Sequence, residues 1–289
     1  MRTFTLKARR LGAGVDFSGE LNAEQYAVVT APGGPMVVVA GAGTGKTRAL
    51  TYRLAWLVGQ GVPPSRIMLA TFTNRAAREM LHRVQMLIQH ETSSVWGGTF
   101  HHLANRILRK YAGRLGISPE FTILDREDAS DVLGACVSEL GVKTTERRFP
   151  SKSVLVGISS CMQNTLLPLE ETVRRRYPMF FSVVDDIARV LARYAERKRA
   201  LQVMDYDDLL TGWLGLLREH ASVRAELADT FVHILVDEYQ DTNAIQGEII
   251  DLLASGHRNV CVVGDDAQAI YSFRGADVRN MLTFTERYP

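Results

Sequence analysis

The sequence predicts an open α/β fold: a parallel sheet covered by helices on both faces and interrupted by a mostly helical insert. Three observations carry that expectation. The runs MVVVA (36–40), IMLATF (67–72), FVHILV (231–236) and VCVV (260–263), with VWGGTF (95–100) as a weaker fifth, are strand-length and apolar without alternation. That is what strands buried on both faces require. Helical patterns separate several of them, and alternating strand and helix builds a parallel sheet. Each run also ends in glycine, hydroxyl, acidic or amide residues, at the strand ends where such sheets bind ligands.

Taken in order, the N-terminal MRTFTLKARRLGAG is basic but has no apolar stretch behind it, so it is not a secretory signal. Residues 1–20 are assigned to a leader. The segment RAAREMLHRVQMLIQ from Arg75 has helical spacing, with Thr73 or Asn74 as its N-cap. Between about 104 and 206 the strand signal fades. There DREDASDVLGACVSELG carries acids in its first turn and Gly141 as a stop, and Val184, Ile187, Leu191 and Tyr194 keep helical spacing. Strand-like runs resume at Phe231. The expected division is therefore an α/β domain made of 21–103 and 207–289, with a helical insert at 104–206.

With 289 residues, 46% hydrophobic and 23% charged, the chain has the composition of a globular protein with a sizeable core. A net charge of +2 gives no global attraction to a polyanion, so any nucleic-acid contact must be local. Cys136, Cys161 and Cys261 are widely spaced and form no C-x-x-C pair, which points to reduced thiols in a cytoplasmic setting. No run approaches the roughly 18 apolar residues of a membrane span, so no membrane partner is expected.

The first strand runs into VVVAGAGTGKT, with Gly41, Gly43 and Gly45 between strand and helix. Glycines let backbone N–H groups of Gly41, Ala42, Gly43, Thr44 and Gly45 wrap phosphate oxygens, aided by the helix N-terminus. Lys46 then reaches the β- and γ-phosphates, and the Thr47 hydroxyl ligates Mg²⁺. Ala40 departs from the strict G-x-x-x-x-G-K-[ST] pattern. A second strand ends in Asp237 and Glu238, which supply what a nucleotide hydrolase needs beyond the loop: a carboxylate for Mg²⁺ and a base for water. The expected cofactors are ATP and Mg²⁺.

With these residues in place, the chain resembles the UvrD/Rep family of superfamily 1A DNA helicases. LNAEQ (21–25) resembles the family's Q motif and AGAGTGKT its motif I. LATFTNRAAREM (69–80) resembles motif Ia, and GTFHHLANRILR (98–109) motif Ib. MDYDDLL (204–210) matches the segment leading to motif II, followed by VDEYQDTN as motif II and GDDAQAIYSFRGA (264–276) as motif III. The resemblance implies a RecA-like 1A domain with a helical 1B insert. It implies that Gln25 reads adenine, that Arg48 packs on the base, and that Gln240 and Gln268 sense the γ-phosphate. It further implies that Phe72, Asn74, His101, Tyr271, Phe273 and Arg274 line a single-strand path. Aromatic faces beside cations suit sequence-independent stacking on single strands, about 1–3 kcal/mol per base. Phe273 replaces the tryptophan common in the family, and Arg75 stands where many relatives have lysine.

The implied partners are single-stranded DNA, single-strand/duplex junctions, and the family's C-terminal 2A/2B domains, which carry motifs IV to VI. Those motifs are not within the 289 residues, so the chain alone is expected to hydrolyse ATP poorly and not to unwind DNA. Two other classes stand beside this one: a non-catalytic DNA-binding module on a helicase fold, and the helicase part of a helicase–nuclease subunit. The stretch 174–199, with eight Lys/Arg against three Asp/Glu, is expected to be a solvated helix face more than a duplex contact.

Overall fold

The computed structural model describes residues 15–88, 92–142, 148–268 and 279–289. Seven strands occur among them: β1 Met36–Val39, β2 Ile67–Ala70, β3 Trp96–Gly98, β4 Thr122–Ile123, β5 Val203–Met204, β6 His233–Val236 and β7 Val260–Gly264. Five form one sheet in the order β1-β7-β6-β2-β3, every pairing parallel. All five apolar runs of the sequence are strands of this sheet, the weaker VWGGTF supplying the edge strand β3.

Burial explains why these runs lack alternation. Met68, Ala70, Ile234, Val236, Val260 and Val262 enter one core with the helices Phe100–Tyr111, Tyr206–Glu219 and Ala244–Ala254. Their neighbours Ile67, Leu69, Leu235, Cys261 and Val263 face the opposite side, under Lys46–Gly59 and Asn74–Ile88. Both faces are covered, so both residue sets must be apolar. β1 is the other edge strand. Among the described residues it pairs only with β7, and its last residue, Val39, is 61% exposed.

The helix from Asn74 starts as expected, with the Thr73 hydroxyl accepting the Ala76 amide at 3.1 Å. The described end of the leader is docked: Phe17 meets Tyr52 and Trp56 edge-on, at centroid distances of 6.2 and 5.2 Å.

A third core, running from Ala129 to Tyr194, belongs to the helices Arg126–Glu139, Lys152–Thr165, Leu169–Arg176 and Val184–Leu201. The helix Phe100–Tyr111 instead buries Leu103, Ile107 and Leu108 in the first sheet core, so a boundary at 103/104 falls inside it. The two-residue strands β4 and β5 pair in parallel where the chain enters and leaves the helical unit. On the basic stretch, Arg174, Arg175 and Arg189 pair with Glu170, Glu171 and Asp186, and Arg193 and Arg197 share Glu139. That is a self-neutralising solvated surface. No helix among the described residues is long and apolar enough to cross a membrane.

Candidate nucleotide-binding site

The site lies at the carboxyl edge of the sheet, where β1, β6 and β7 end side by side. From β1 the chain turns into the glycine loop, in which Gly43 and Gly45 adopt φ of 76° and 90°. These left-handed values favour glycine. At Gly45 space adds a second reason, since a Cβ there would sit 2.6 Å from Gln25 Nε2. The loop closes on itself through the Thr44 hydroxyl, which donates to the Gly41 carbonyl at 2.8 Å. Ala40 acts through its backbone: its N–H donates to Gly264 at 3.1 Å and its carbonyl accepts from Lys46 at 2.7 Å. The departure from the strict motif at this position therefore leaves the loop's geometry intact.

Lys46 opens the helix Lys46–Gly59 and is buried. Its Nζ also donates to the Gly41 carbonyl at 3.3 Å and stands 3.7 Å from Asp265 Oδ2, at the tip of β7. The Thr47 hydroxyl donates to Asp237 Oδ2 at 3.2 Å, joining the loop to the tip of β6. Burial, and then the neighbouring Glu238 carboxylate, push Asp237 up to about 6. Glu238 takes the left-handed conformation at φ 50°, which turns the chain sharply past the strand. Its carboxylate accepts from Gln240 Nε2 at 2.8 Å.

Gln240 joins two strands. Its other amide atom, Oε1, accepts the Asp265 N–H at 3.0 Å, so one buried side chain ties the acidic pair to β7. Gly264 makes room for it, since a Cβ there would lie 2.6 Å from Gln240 Oε1. Gln268 donates to Asp265 Oδ2, and this bond, the Ala267 amide and Lys46 hold the Asp265 carboxyl below its ordinary range. Lys46, Asp265, Gln268, Gln240 and Glu238 thus form one connected set.

At the other end of the loop, Gln25 completes a capping box with Asn22 and donates from Nε2 to the Thr44 carbonyl at 3.0 Å. Arg48 donates to the Glu20 carbonyl at 2.9 Å and lies over the Tyr52 ring, 5.0 Å from its centroid. Tyr52 and Glu20, themselves hydrogen-bonded, were not singled out in the sequence; a tyrosine four residues after Arg48 on one helix face was the available signal.

Of the candidate single-strand path, Phe72 and Asn74 lie just past β2, Phe72 being 40% exposed. Asn74 Oδ1 accepts the Thr99 N–H at 3.3 Å, joining the β2 and β3 tips. His101, in the first turn of the next helix, faces Tyr206 with ring centroids 5.7 Å apart. Burial lowers the pKa of His101, partly offset by the Asp207 carboxylate. Tyr206 is 57% exposed and lay unremarked inside MDYDDLL. Tyr271, Phe273 and Arg274 lie outside the described residues.

A glycine loop between strand and helix, facing an acidic pair on a second strand of an all-parallel sheet, defines a P-loop nucleotide-binding domain of the RecA-like class. Residues 21–289 match the UvrD/REP helicase N-terminal domain, and the chain belongs to that family. It is 38% identical over 270 residues to an ATP-dependent DNA helicase PcrA of Staphylococcus epidermidis, and 37% identical over 270 residues to the Staphylococcus aureus protein of the same name. Each match covers 93% of this chain and 36% of the relative, so the chain spans about a third of the length of these relatives.

Proposed function

We propose that these residues are the ATP-binding N-terminal motor half of an ATP-dependent 3′→5′ DNA helicase, acting in the cytoplasm on single-stranded DNA and single-strand/duplex junctions. The observation that carries the reading is the connected set at the sheet edge: Lys46 is joined through Asp265 and Gln240 to Glu238, and through Asp265 to Gln268, immediately before the aromatic run. The loop amides of Gly41 to Gly45 and Lys46 receive the phosphates. Gln25 has one amide hydrogen and one lone pair left after its two bonds, enough to pair with the N6/N7 edge of adenine. Arg48 packs on the base.

The pair Thr47 Oγ1 and Asp237 Oδ2 offers only oxygen, and Asp237 is a buried carboxylate with a neutral partner, a donor set suited to Mg²⁺. No group of three His, Cys, Asp or Glu among the described residues could hold a metal alone, consistent with an ion completed by phosphate and water oxygens. When bound, Mg²⁺ supplies charge neutralisation of the phosphates. Glu238 orients and deprotonates water, while Gln240 and Gln268 respond to the γ-phosphate. Phe72, Asn74, His101, Tyr271, Phe273 and Arg274 receive the strand. The division into 21–103 plus 207–289 and an insert is part of the reading, the insert proper lying between the β4 and β5 crossings.

Titration of the 289-residue chain with a fluorescent ATP analogue and Mg²⁺, against Lys46→Ala, tests the reading. Lys46-dependent binding with slow hydrolysis and no strand separation is expected, because γ-phosphate arginines supplied by a second domain are worth about 10³–10⁵ in rate. Binding indifferent to Lys46 would overturn it.

A further inference from the structure

The acidic loop reaches the helical insert through a chain of side-chain amides that the nucleotide chemistry does not use. Asn243, five residues past Glu238, caps the helix Ala244–Ala254: its Oδ1 accepts the Gln246 amide at 3.0 Å. That bond fixes the orientation of the side chain and turns Nδ2 away from the helix, where it donates to Asn164 Oδ1 at 2.7 Å. Asn164 belongs to the insert helix Lys152–Thr165. With its oxygen so occupied, its Nδ2 donates to Asp207 Oδ1 at 2.7 Å and to the Ser160 carbonyl at 2.9 Å. A carboxylate can only accept, so every orientation along the chain agrees from one end to the other.

Both ends of this chain lie against functional surfaces. Asn243 is 7% exposed, and its carbonyl, with that of Thr242, accepts from Asn280 Nδ2 at 3.0 and 3.1 Å. The loop that carries Asp237 and Glu238 is therefore anchored where it meets the insert. At the far end, Asp207 follows Tyr206, whose ring faces His101, and the Asp207 carboxylate acts on the His101 imidazole. A polar route from the loop of the acidic pair to the His101–Tyr206 surface thus passes through Asn164, which belongs to neither. Two of its bonds tie separate elements, one to a neutral amide and one to a charge, and the second kind is the stronger.

We propose that Asn164 is a positioning residue through which the insert couples nucleotide occupancy to single-strand binding. The inference rests on the function proposed above. A shift of the Asp237–Asn243 loop on nucleotide binding moves Asn243, and Asn164 passes the displacement to Asp207 and the rings beside it. Coupling of this kind is reciprocal: nucleotide must change single-strand affinity by the same factor as single strand changes nucleotide affinity.

The test is made on the 289-residue chain with a fluorescent oligo-dT and a non-hydrolysable ATP analogue with Mg²⁺. Each affinity is measured with and without the other ligand. Wild type is expected to show coupling of about 5- to 150-fold. Asn164→Ala should bring the factor to within twofold of unity while either ligand alone binds within threefold of wild type. Asn243→Ser keeps a good N-cap and loses only the amide, so it should give the same loss, and the double variant should lose nothing more. This second variant also decides the matter if Asn164→Ala fails to fold. Coupling of wild-type size in Asn164→Ala or Asn243→Ser would overturn the inference, as would a wild-type factor of one with both ligands bound. If wild type binds neither ligand, the proposed function falls and takes this inference with it.

Discussion

Lys46 and Lys198 are buried to the same depth, each side chain 7% exposed, yet their surroundings differ in kind. Lys198, in the last turn of the helix Val184–Leu201, has Asp205 and Asp208 carboxylate oxygens each at 2.6 Å and lies over the Tyr194 ring at 4.2 Å. Tyr194 donates to Asp205 at 2.8 Å, and the two aspartates cap the helix Tyr206–Glu219 reciprocally. Every charge there is closed upon. Lys46 donates instead to two neutral carbonyls, and its carboxylate stays at 3.7 Å. A buried cation whose counter-charges have closed on it is a strut. One held by weak partners within reach of a charged one can exchange them for phosphate.

The largest expected effect breaks the strut. Lys198→Met leaves the buried Asp205 and the half-buried Asp208 uncompensated and should cost about 3–5 kcal/mol in denaturant unfolding. Nucleotide affinity of the folded fraction should be unchanged. Lys46→Ala should do the reverse, lowering affinity for nucleotide with Mg²⁺ about 10- to 100-fold, as expected for lost charged hydrogen bonds. Its unfolding midpoint should stay close to wild type. Equal destabilisation by both substitutions would remove the distinction.

Gly264→Ala sharpens the comparison from the loop side. The added methyl lies 2.6 Å from Gln240 Oε1 and 3.0 Å from Met281 Sδ. A cost of about 1–3 kcal/mol is expected from overpacking, together with weaker nucleotide binding, since Gln240 must release the Asp265 amide. Calorimetry with parallel nucleotide titration separates the two effects.

An effect confined to acid comes from His233, at the opposite end of β6 from Asp237. Burial, then the Arg53 cation and the neighbouring His257, hold it down to about 4 against an ordinary 6.5. The unfolded chain takes up the proton first, so this contribution is complete above about pH 6.5 and is lost as pH falls toward 4. His233→Gln should flatten that part of the stability profile. A slope unchanged by the substitution would place the titration elsewhere.

What was legible followed from how local each signal is. The five strands could be read because burial on both faces forces unbroken apolar runs, and the loop because Gly43 and Gly45 need left-handed backbone. Lys46 and Thr47 could be placed by the G-K-T that opens the helix after the glycine loop, and Asp237 and Glu238 by the end of the strand before them. Asn164 carries no such mark, since an asparagine inside a helical segment announces nothing about a partner 79 positions away. Lys198 was hidden by its neighbours, because a run rich in arginine points to a solvated face. Yet it continues the buried stripe of Ile187, Val190 and Tyr194 at helical spacing, and a cation on an apolar stripe needs a buried partner. The expected boundary at 103/104 falls inside the helix Phe100–Tyr111, whose amphipathic pattern does not announce which core receives it.

The sheet places its phosphate loop on an edge. Among the described residues β1 is bonded on one side, and Val39, the last residue before the loop, is its most exposed. An edge strand offers a row of unspent amides and carbonyls to any extended segment that comes alongside. The same strand therefore governs two properties that would ordinarily be measured apart. A segment that paired with that edge would bear on the loop that follows Val39 as well as on self-association of the chain.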